Sequence, residues 1–350
     1  MNRTEVTTPD TQSGFRVHRW DTDPIWEEFE LPRPGPSEVT VQVEACGVGL
    51  TVLNAIRGDL GNDPSLLPRV PGHELAGRVI EAGSEVGRHL LGRRVIAYFY
   101  LSCGSCCECL AGREPLCRSM SGYVGVHRDG GYAPYAVLPV ANVIPVPNGL
   151  DPIAATVVAD AVATPVHVSA RASIGESDRV VVIGAGGGVG IHMVQVALLT
   201  TAEVVGLDVT QDKLAAIERQ GARAVDSSEF SAIPRLFGAG PPTVVIDLVG
   251  SAAAASWSLD ALGPRGRLVV LTTFVGRPVS VDYREFVFRE ISLIGSRYAT
   301  KAEVAAAADL VATRKVEPVI GEIVELADLL SLHDRLRNGE LVGRGALAWQ

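Results

Sequence analysis

The sequence has little that would bind nucleic acid or a membrane. Its 31 basic residues are outnumbered by 40 acidic ones, for a formal net charge of −9, and the basic residues are scattered along the chain. Such a charge pattern provides no patch for phosphate backbones or anionic lipids. No uninterrupted apolar run of bilayer length is evident, and the first fourteen residues lack the apolar core of a signal peptide. We therefore expect a cytoplasmic protein with no nucleic-acid or membrane partner.

Internal repeats and low-complexity linkers are also missing, so a solenoid or an extended multidomain array is not indicated. What remains is a chain of 350 residues with 47% hydrophobic and 20% charged residues, a globular composition with ample core. This length exceeds what one hydrophobic core usually serves, and two domains are the expectation.

A glycine-rich stretch from Arg179 to Gly190, RVVVIGAGGGVG, organises the second half. Four β-branched residues predict a buried strand, and the apolar spacing after the glycines predicts a helix. Strand, glycine turn and helix N-terminus together form a site for a pyrophosphate. A second predicted strand ends in Asp208, about where a dinucleotide fold places its ribose-binding carboxylate. The alternative is a plain strand–helix–strand unit with a glycine turn.

The cofactor prediction rests on Asp208 and on the residues after it. A carboxylate there binds ribose hydroxyls but repels a 2′-phosphate, and Val209 and Thr210 supply no arginine to offset the repulsion. NAD(H) is therefore expected to be preferred over NADP(H). The predicted cofactor-binding residues are Gly184, Gly186, Gly187, Gly188, Val189, Gly190, Asp208, Lys213 and Val249.

Four cysteines form the strongest metal signal, with the spacing C-x2-C-x2-C-x7-C: Cys103, Cys106, Cys109 and Cys117. Four thiolates on a short loop can converge on one tetrahedral Zn²⁺ with no open position, which makes the site structural. Disulfides fit poorly with a chain that lacks a secretion signal, and an iron–sulfur cluster fits poorly with the wide last gap. Cys46 and Cys107 are expected to be ordinary thiols.

The pattern along the chain changes near residue 160. Before it, short alternating segments and frequent turns predict a β-rich domain. After it, strands alternate with helices, which predicts a parallel sheet covered by helices on both faces. A final helix and strand close the chain. The fold class is therefore α/β.

The chain resembles the zinc-containing alcohol dehydrogenase branch of the medium-chain dehydrogenase/reductase family. The resemblance rests on PGHELAG, the cysteine-rich lobe, GVHRDGGYAPY, the glycine loop with Asp208, and EISLIGSRYATKAE. It implies a Rossmann doubly wound sheet inserted in a β-rich, chaperonin-10-like catalytic domain. The implied division is 1–160 for the catalytic domain with its zinc lobe, 161–296 for the Rossmann domain, and 297–350 for the return to the catalytic domain. It also implies a homodimer or homotetramer.

The same resemblance implies three ligands for a catalytic zinc, and one of them is missing. The first ligand position, a cysteine in the family, is Gly49, which has no side chain. The second is His73, and the third is Asp160. A catalytic zinc is therefore doubtful, although His73, Glu74 and Asp160 with waters would still make a weak site.

The surroundings of that position differ from the family as well. Val52 stands where a carboxylate is expected, and Asn54 replaces the histidine of the proton relay. Thr51 is kept, so a hydroxyl remains for the substrate oxygen. The candidate catalytic residues are accordingly Thr51, His73, Glu74 and Asp160. His73 also fits an ordinary buried histidine, whereas Asp160, within an apolar helix, needs a partner or a raised pKa.

These features predict an enzyme, an NAD(H)-dependent oxidoreductase that transfers hydride to or from a small organic molecule. Without a catalytic zinc, the expected reaction is reduction of an activated C=C or C=N bond. The alternatives are a zinc-dependent alcohol or carbonyl dehydrogenase and a dinucleotide-binding protein without turnover.

Overall fold

The structure of the protein is a computed structural model that describes residues 8–201, 203–233, 235–272, 278 and 280–349. The chain forms two compact units. The first consists of Met1–Asp160, Thr300–Thr313 and Ile320–Gln350, and the second of Ala161–Ala299 and Arg314–Val319. We propose that these units are the predicted catalytic and dinucleotide-binding domains.

The first unit is built mainly from antiparallel strands. Its central strand, Glu38–Val48, pairs with the last strand of the chain, with Glu74–Ala82 and with Tyr135–Pro139. Its apolar side chains, among them Val39, Val41 and Val43, are buried in the core of this unit. Numbered in chain order, the strands are β1 (Thr11–Arg16), β2 (Ile25–Glu30), β3 (Glu38–Val48), β4 (Glu74–Ala82), β5 (Arg94–Ala97), β6 (Tyr135–Pro139), β7 (Val143–Pro145), β14 (Ile320–Val324) and β15 (Arg344–Ala348).

These strands form two sheets. β1 and β2 make a separate hairpin, and the seven-stranded sheet has the order β14-β15-β3-β4-β5-β7, with β6 added on β3. The order places β15, the last strand, directly beside β3, and β3 beside β4. Side chains from these three strands therefore meet although they are far apart in sequence.

The helices of the first unit are short and have recognisable ends. Asp151 caps one of them through the N–H of Ala154, with Pro152 in its first turn. Another begins at Thr300 with a capping box to Glu303. The helices are α1 (Leu50–Arg57), α2 (Cys107–Leu110), α3 (Pro152–Val157), α9 (Lys301–Ala312) and α10 (Leu329–Arg337).

The strands of the second unit are β8 (Val180–Ile183), β9 (Val204–Asp208), β10 (Arg223–Asp226), β11 (Val244–Asp247), β12 (Arg267–Val270) and β13 (Ser292–Gly295). Over the described residues they form a six-stranded parallel sheet with the order β10-β9-β8-β11-β12-β13. This is the order of a Rossmann fold. Its central strands are continuous runs of buried apolar residues, as expected where helices cover both faces. The helices of this unit are α4 (Ala163–Ala172), α5 (Gly188–Leu198), α6 (Gln211–Arg219), α7 (Ala252–Ala261) and α8 (Tyr283–Arg289).

The predicted fold class is confirmed. The sequence placed all of 297–350 with the first domain, whereas residues 297–299 and the segment Arg314–Val319 lie with the second unit. Two side chains of α5 hold this segment. Nε2 of His192 accepts from the N–H of Val319 at 3.0 Å, and the amide of Gln195 makes two hydrogen bonds with the backbone of Glu317, each 2.8 Å long.

A helical stretch from Pro152 to Ala172 carries an irregular turn. Between α3 and α4 the residues Val158–Val162 form a π-helical turn, which includes Asp160. By length and composition alone, this 21-residue stretch could cross a membrane. The sequence analysis, which found no apolar run of that length, did not identify it. However, 67% of its most apolar window is buried inside the protein, as in a core helix. Single π-helical turns occur frequently at functional sites.

Candidate active site

The glycine loop of the second unit connects β8 directly to α5. Gly184 has φ of 78°, in the left-handed region that favours glycine. A side chain at Gly190 would meet the carbonyl oxygen of Gly184 at 2.1 Å, and one at Gly186 would meet Cβ of Lys213 at 2.4 Å. The loop therefore allows only glycine at these positions, and it leads into the N-terminus of an eleven-residue helix. Such a terminus favours a pyrophosphate.

Asp208 ends β9 beside this loop, and its carboxylate is almost fully buried. It accepts hydrogen bonds from the N–H groups of Gly186 and Val209, both at 2.8 Å. Nζ of Lys213 lies 3.9 Å from Oδ1 of Asp208. The structure thus places the predicted carboxylate and lysine next to the predicted phosphate loop.

Val249 lies on the other side of the loop, just after β11. A side chain at Gly184 would lie 3.1 Å from Cγ2 of Val249, so the two residues are close neighbours. Asp247 fixes the local turn by accepting from the N–H groups of Val249 and Gly250 at 2.8 and 2.9 Å. The side chain of Val249 is 43% exposed, which leaves it available to a bound ligand.

The four cysteines of the lobe converge as their spacing predicts. The Sγ–Sγ distances are 3.6 Å for Cys106–Cys109 and 3.9 Å for both Cys103–Cys109 and Cys106–Cys117. Four sulfurs bound tetrahedrally to Zn²⁺ at about 2.3 Å lie about 3.8 Å apart, so the cluster fits a zinc ion.

The electrostatics of the lobe also favour a cation. The N–H groups of Ser105 and Cys106 lower the pKa of Cys103 to about 6. By contrast, burial and the neighbouring sulfurs raise the pKa of Cys109 to about 12. Hydrogen bonds from N–H groups also lower the pKa of Cys106. Thiolates this close repel one another, and a bound Zn²⁺ would supply the compensating charge. Cys107 is exposed and stands outside the cluster.

His73, Glu74 and Asp160 also meet, within the first unit. Nε2 of His73 lies 3.6 Å from Oδ2 of Asp160 and 3.7 Å from Oε1 of Glu74, beyond hydrogen-bond length in both cases. The imidazole stacks on Phe99 with the ring centroids 4.3 Å apart. Burial lowers the pKa of His73, and the nearby Asp160 partly opposes this shift.

A fourth residue completes this cluster, and the sequence interpretation did not include it. Arg344, at the start of β15, donates from Nε to Oε2 of Glu74 at 2.9 Å and from Nη2 to the other oxygen of Glu74. Nη2 also donates to Oδ2 of Asp160 at 3.0 Å. Glu74 is therefore the ion-pair partner of Arg344, and its part in proton transfer stays a prediction. The signal available in the sequence was that two buried carboxylates need a cation.

The predicted hydroxyl and the missing ligand lie at the start of α1. Gly49 precedes the helix as its N-cap, and Thr51 is a half-buried residue of its first turn. Gly47, two residues before Gly49, is paired with Glu74 between β3 and β4. A Cβ built on Gly49 would meet the guanidinium of Arg344, which binds Glu74. The first unit therefore contains Gly49, His73 and Asp160, the three ligand positions that the family resemblance implies for a catalytic zinc, together with Glu74.

The residues at these positions do not fit a catalytic zinc. Gly49 offers no ligand, and Glu74 and Asp160 already accept hydrogen bonds from a buried guanidinium. Cys46, in β3, does not replace the missing ligand, because burial raises its pKa far above the usual range and keeps it a thiol. Nε2 of His73 is buried and has no hydrogen-bond partner among the described residues.

Comparisons with known proteins agree with the architecture. Residues 35–148 match the alcohol dehydrogenase GroES-like domain, and residues 188–313 match the zinc-binding dehydrogenase domain. The chain is 30% identical over 327 residues to L-galactonate-5-dehydrogenase of Escherichia coli K12. The matched region covers 91% of this chain and 94% of the relative. The chain is also 30% identical over 320 residues to acryloyl-coenzyme A reductase of Metallosphaera sedula, with the same coverage of both chains.

The structure also matches that of a thermostable alcohol dehydrogenase from Pyrobaculum aerophilum. The TM-score is 0.87 at 30% sequence identity, over 97% of this chain and all of the other. Full-length similarity to dehydrogenases and a reductase makes the chain an oxidoreductase. The protein belongs to the medium-chain dehydrogenase/reductase family, in its alcohol dehydrogenase-like branch.

Proposed function

We propose that the protein is an NAD(H)-dependent reductase of an activated C=C or C=N bond that works without a catalytic zinc. The observation that carries the proposal is the glycine at position 49, which removes a metal ligand at the position where the family polarises a substrate oxygen. A substrate that is electrophilic without a metal suits such a site. Acryloyl-coenzyme A reductase, an enzyme named for an activated alkene, is among the relatives.

Hydride transfer in this reaction needs one further proton. Bound NADH would supply the hydride, with its two electrons, to the electrophilic carbon of the substrate. The other atom of the double bond takes a proton, and the products are the saturated compound and NAD⁺. Thr51 carries a hydroxyl, and His73 carries a ring nitrogen without a hydrogen-bond partner in the described residues. Either is suited to deliver the proton.

The cofactor side of the proposal rests on the second unit. The glycine loop, Asp208 and Lys213 form one cluster, and the carboxylate opposes a 2′-phosphate. NAD(H) is therefore the proposed cofactor, and one structural Zn²⁺ on Cys103, Cys106, Cys109 and Cys117 is the proposed metal content. The substrate is a small molecule, and the cytoplasmic location remains a prediction.

The proposed oligomer uses the edge of the parallel sheet. β13 pairs with β12 on one side and with no described strand on the other. Leu293 on this strand is 51% exposed. An apolar edge strand is a template for pairing with a second copy. Light scattering should show a dimer or tetramer, and Leu293→Lys should reduce its mass to that of the monomer.

The reaction is tested with a matched pair of substrates. The purified protein is assayed with NADH against an α,β-unsaturated thioester and against the corresponding saturated aldehyde, before and after a chelator mild enough to spare the lobe. We expect saturation of the alkene, identified by mass spectrometry, and activity that survives the chelator. Aldehyde reduction that disappears with the chelator would support the zinc-dependent alternative. NADH binding without turnover over a broad substrate panel would support the non-catalytic alternative.

A further inference from the structure

The guanidinium of Arg344 occupies the space that a side chain at position 49 would need. A Cβ built on Gly49 would lie 2.2 Å from Cζ, 2.4 Å from Nη1 and 2.6 Å from Nη2 of Arg344. All three distances are far inside van der Waals contact. The guanidinium therefore lies against the Cα of Gly49, and any larger residue there requires Arg344 to move.

The backbone of Gly49 gives no separate reason for glycine. Its φ of −137° and ψ of 176° are extended, a conformation that any residue adopts. Among the neighbours of the missing side chain, the three nearest atoms all belong to Arg344. Arg344, held in place by Glu74 and Asp160, therefore limits the space for a side chain at position 49.

The same guanidinium balances the two carboxylates of the site. Arg344 is only 4% exposed, and Glu74 is fully buried. Nε and Nη2 hold both oxygens of Glu74, and Nη2 also holds Asp160. A fork-shaped cation that binds one carboxylate with two donors is a strong and directional partner. Glu74 and Asp160 therefore have their countercharge from within the chain.

A divalent metal would compete with Arg344 for those oxygens. Coordination by Glu74 and Asp160 would withdraw the electron pairs that now accept from the guanidinium. It would also leave a buried guanidinium without its anion, beside a second cation. Removing the partner of a buried charge is strongly destabilising. Geometry and charge both oppose a metal here.

We propose that Arg344 is the resident cation of this site in place of a metal ion, and that Gly49 and Arg344 are a coupled pair that keeps the site closed to metal. The proposal shares with the proposed function only the absence of a catalytic zinc. It concerns metal binding and stability, and its measurements use neither NADH nor substrate. Its failure is therefore distinguishable from a failure to reduce alkenes.

The first experiment measures metal in the unaltered protein. Zinc-loaded protein is titrated with Co²⁺, and bound metal is counted by mass spectrometry after gel filtration. We expect about one zinc per chain, in the lobe, and no tightly bound cobalt. A second equivalent of metal, lost on His73→Gln but not on Cys107→Ser, would overturn the proposal.

The second experiment opens the site. Arg344→Met removes the cation, and Gly49→Cys combined with it adds the missing thiolate next to His73. We expect the double variant to bind one additional Co²⁺ per chain, with the visible absorption of thiolate–cobalt bonds, and to gain thermal stability on binding it. Gly49→Cys alone should bind none. Arg335→Met is the matched control, because it breaks the partly exposed ion pair between Arg335 and Glu322 and leaves Arg344 in place. It should bind no additional Co²⁺.

The third experiment measures the coupling of the two residues by thermal unfolding. Gly49→Ala should lower the melting temperature in the native background, because its Cβ meets the guanidinium. The same substitution should be nearly neutral when Arg344 is already Met. Equal effects of Gly49→Ala in both backgrounds would show that the residues are independent and would contradict the proposal. If the Arg344 variants do not fold, the cobalt titration of the unaltered protein and the melting temperature of Gly49→Ala still decide it.

Discussion

The backbone N–H of Gly186 donates to Oδ2 of Asp208 at 2.8 Å, so the glycine loop and the end of the neighbouring strand are joined directly. The bond connects residues 22 positions apart. It fixes the carboxylate at the edge of the phosphate loop while Oδ1 faces Val209 and Lys213. Position 208 is therefore a structural anchor of the loop, and we propose it as the point at which the protein distinguishes a cofactor ribose from its 2′-phosphate.

Cofactor preference should depend on the charge at position 208. We expect the unaltered protein to have a higher kcat/KM with NADH than with NADPH, because the carboxylate repels a 2′-phosphate. Asp208→Asn keeps an oxygen for the N–H of Gly186 and removes the charge, and it should shift the ratio toward NADPH by roughly tenfold or more. Equal or better efficiency of the unaltered protein with NADPH would contradict the assignment.

Zinc in the cysteine lobe should stabilise the fold. Cys109→Ser should lower the zinc content and the melting temperature, because the lobe consists of short turns and has little core of its own. Cys107→Ser is the matched control, since Cys107 is exposed and outside the cluster. Zinc analysis and calorimetry on both variants test this. A Cys109→Ser protein with unchanged zinc and melting temperature would disprove the lobe assignment.

Proton delivery should depend on Thr51 and His73 and not on the cofactor unit. Thr51→Val and His73→Gln should lower kcat for alkene reduction, by roughly 10²-fold for the residue that delivers the proton. NADH affinity should stay unchanged in both. Thr40→Val is the control, because the buried hydroxyl of Thr40 has no partner among the described residues. Unchanged kcat in both Thr51→Val and His73→Gln would exclude these residues as proton donors.

Stability should fall in mild acid because of His192. Burial lowers the pKa of His192 to about 4 from its usual 6.5. Between these pH values the unfolded chain binds the proton and the folded chain does not. The contribution of neutral His192 to the free energy of unfolding is therefore complete above pH 6.5 and declines as the pH falls toward 4. The full loss is about 3 kcal/mol. His192→Gln cannot titrate, and its melting temperature should fall less between pH 7 and pH 5 than that of the unaltered protein. An equal fall in both would assign the acid sensitivity to other groups.

The parts of the site whose residues are close in sequence were predicted better than the parts whose residues are far apart. The glycine loop and the cysteine lobe are continuous or closely spaced segments, and their side chains or amides converge because few bonds separate them. Asp160 was also expected to need a partner, because a carboxylate in an apolar helix is costly. The π-helical turn that carries it was not predicted, because one extra residue in a turn leaves no mark on a short apolar pattern.

Arg344 could not be found in the same way. Its contact with Glu74 joins residues 270 positions apart and depends on β15 lying next to β3. The residues next to Arg344 in the sequence do not distinguish it from an arginine on the protein surface. The order of strands in the sheet, rather than the residue itself, makes it the partner of Glu74 and Asp160. For the same reason, Gly49 was recognised as a missing ligand but not as the space for a guanidinium.

The position of β15 also sets the order in which the protein can be completed during synthesis. β15 lies between β14 and β3 and not at the edge of its sheet, so the first unit cannot close until residues 344–348 have left the ribosome. The six strands of the second unit all precede it and can pair earlier. Glu74 and Asp160 are thus synthesised long before Arg344, and we expect the second unit to fold before the first.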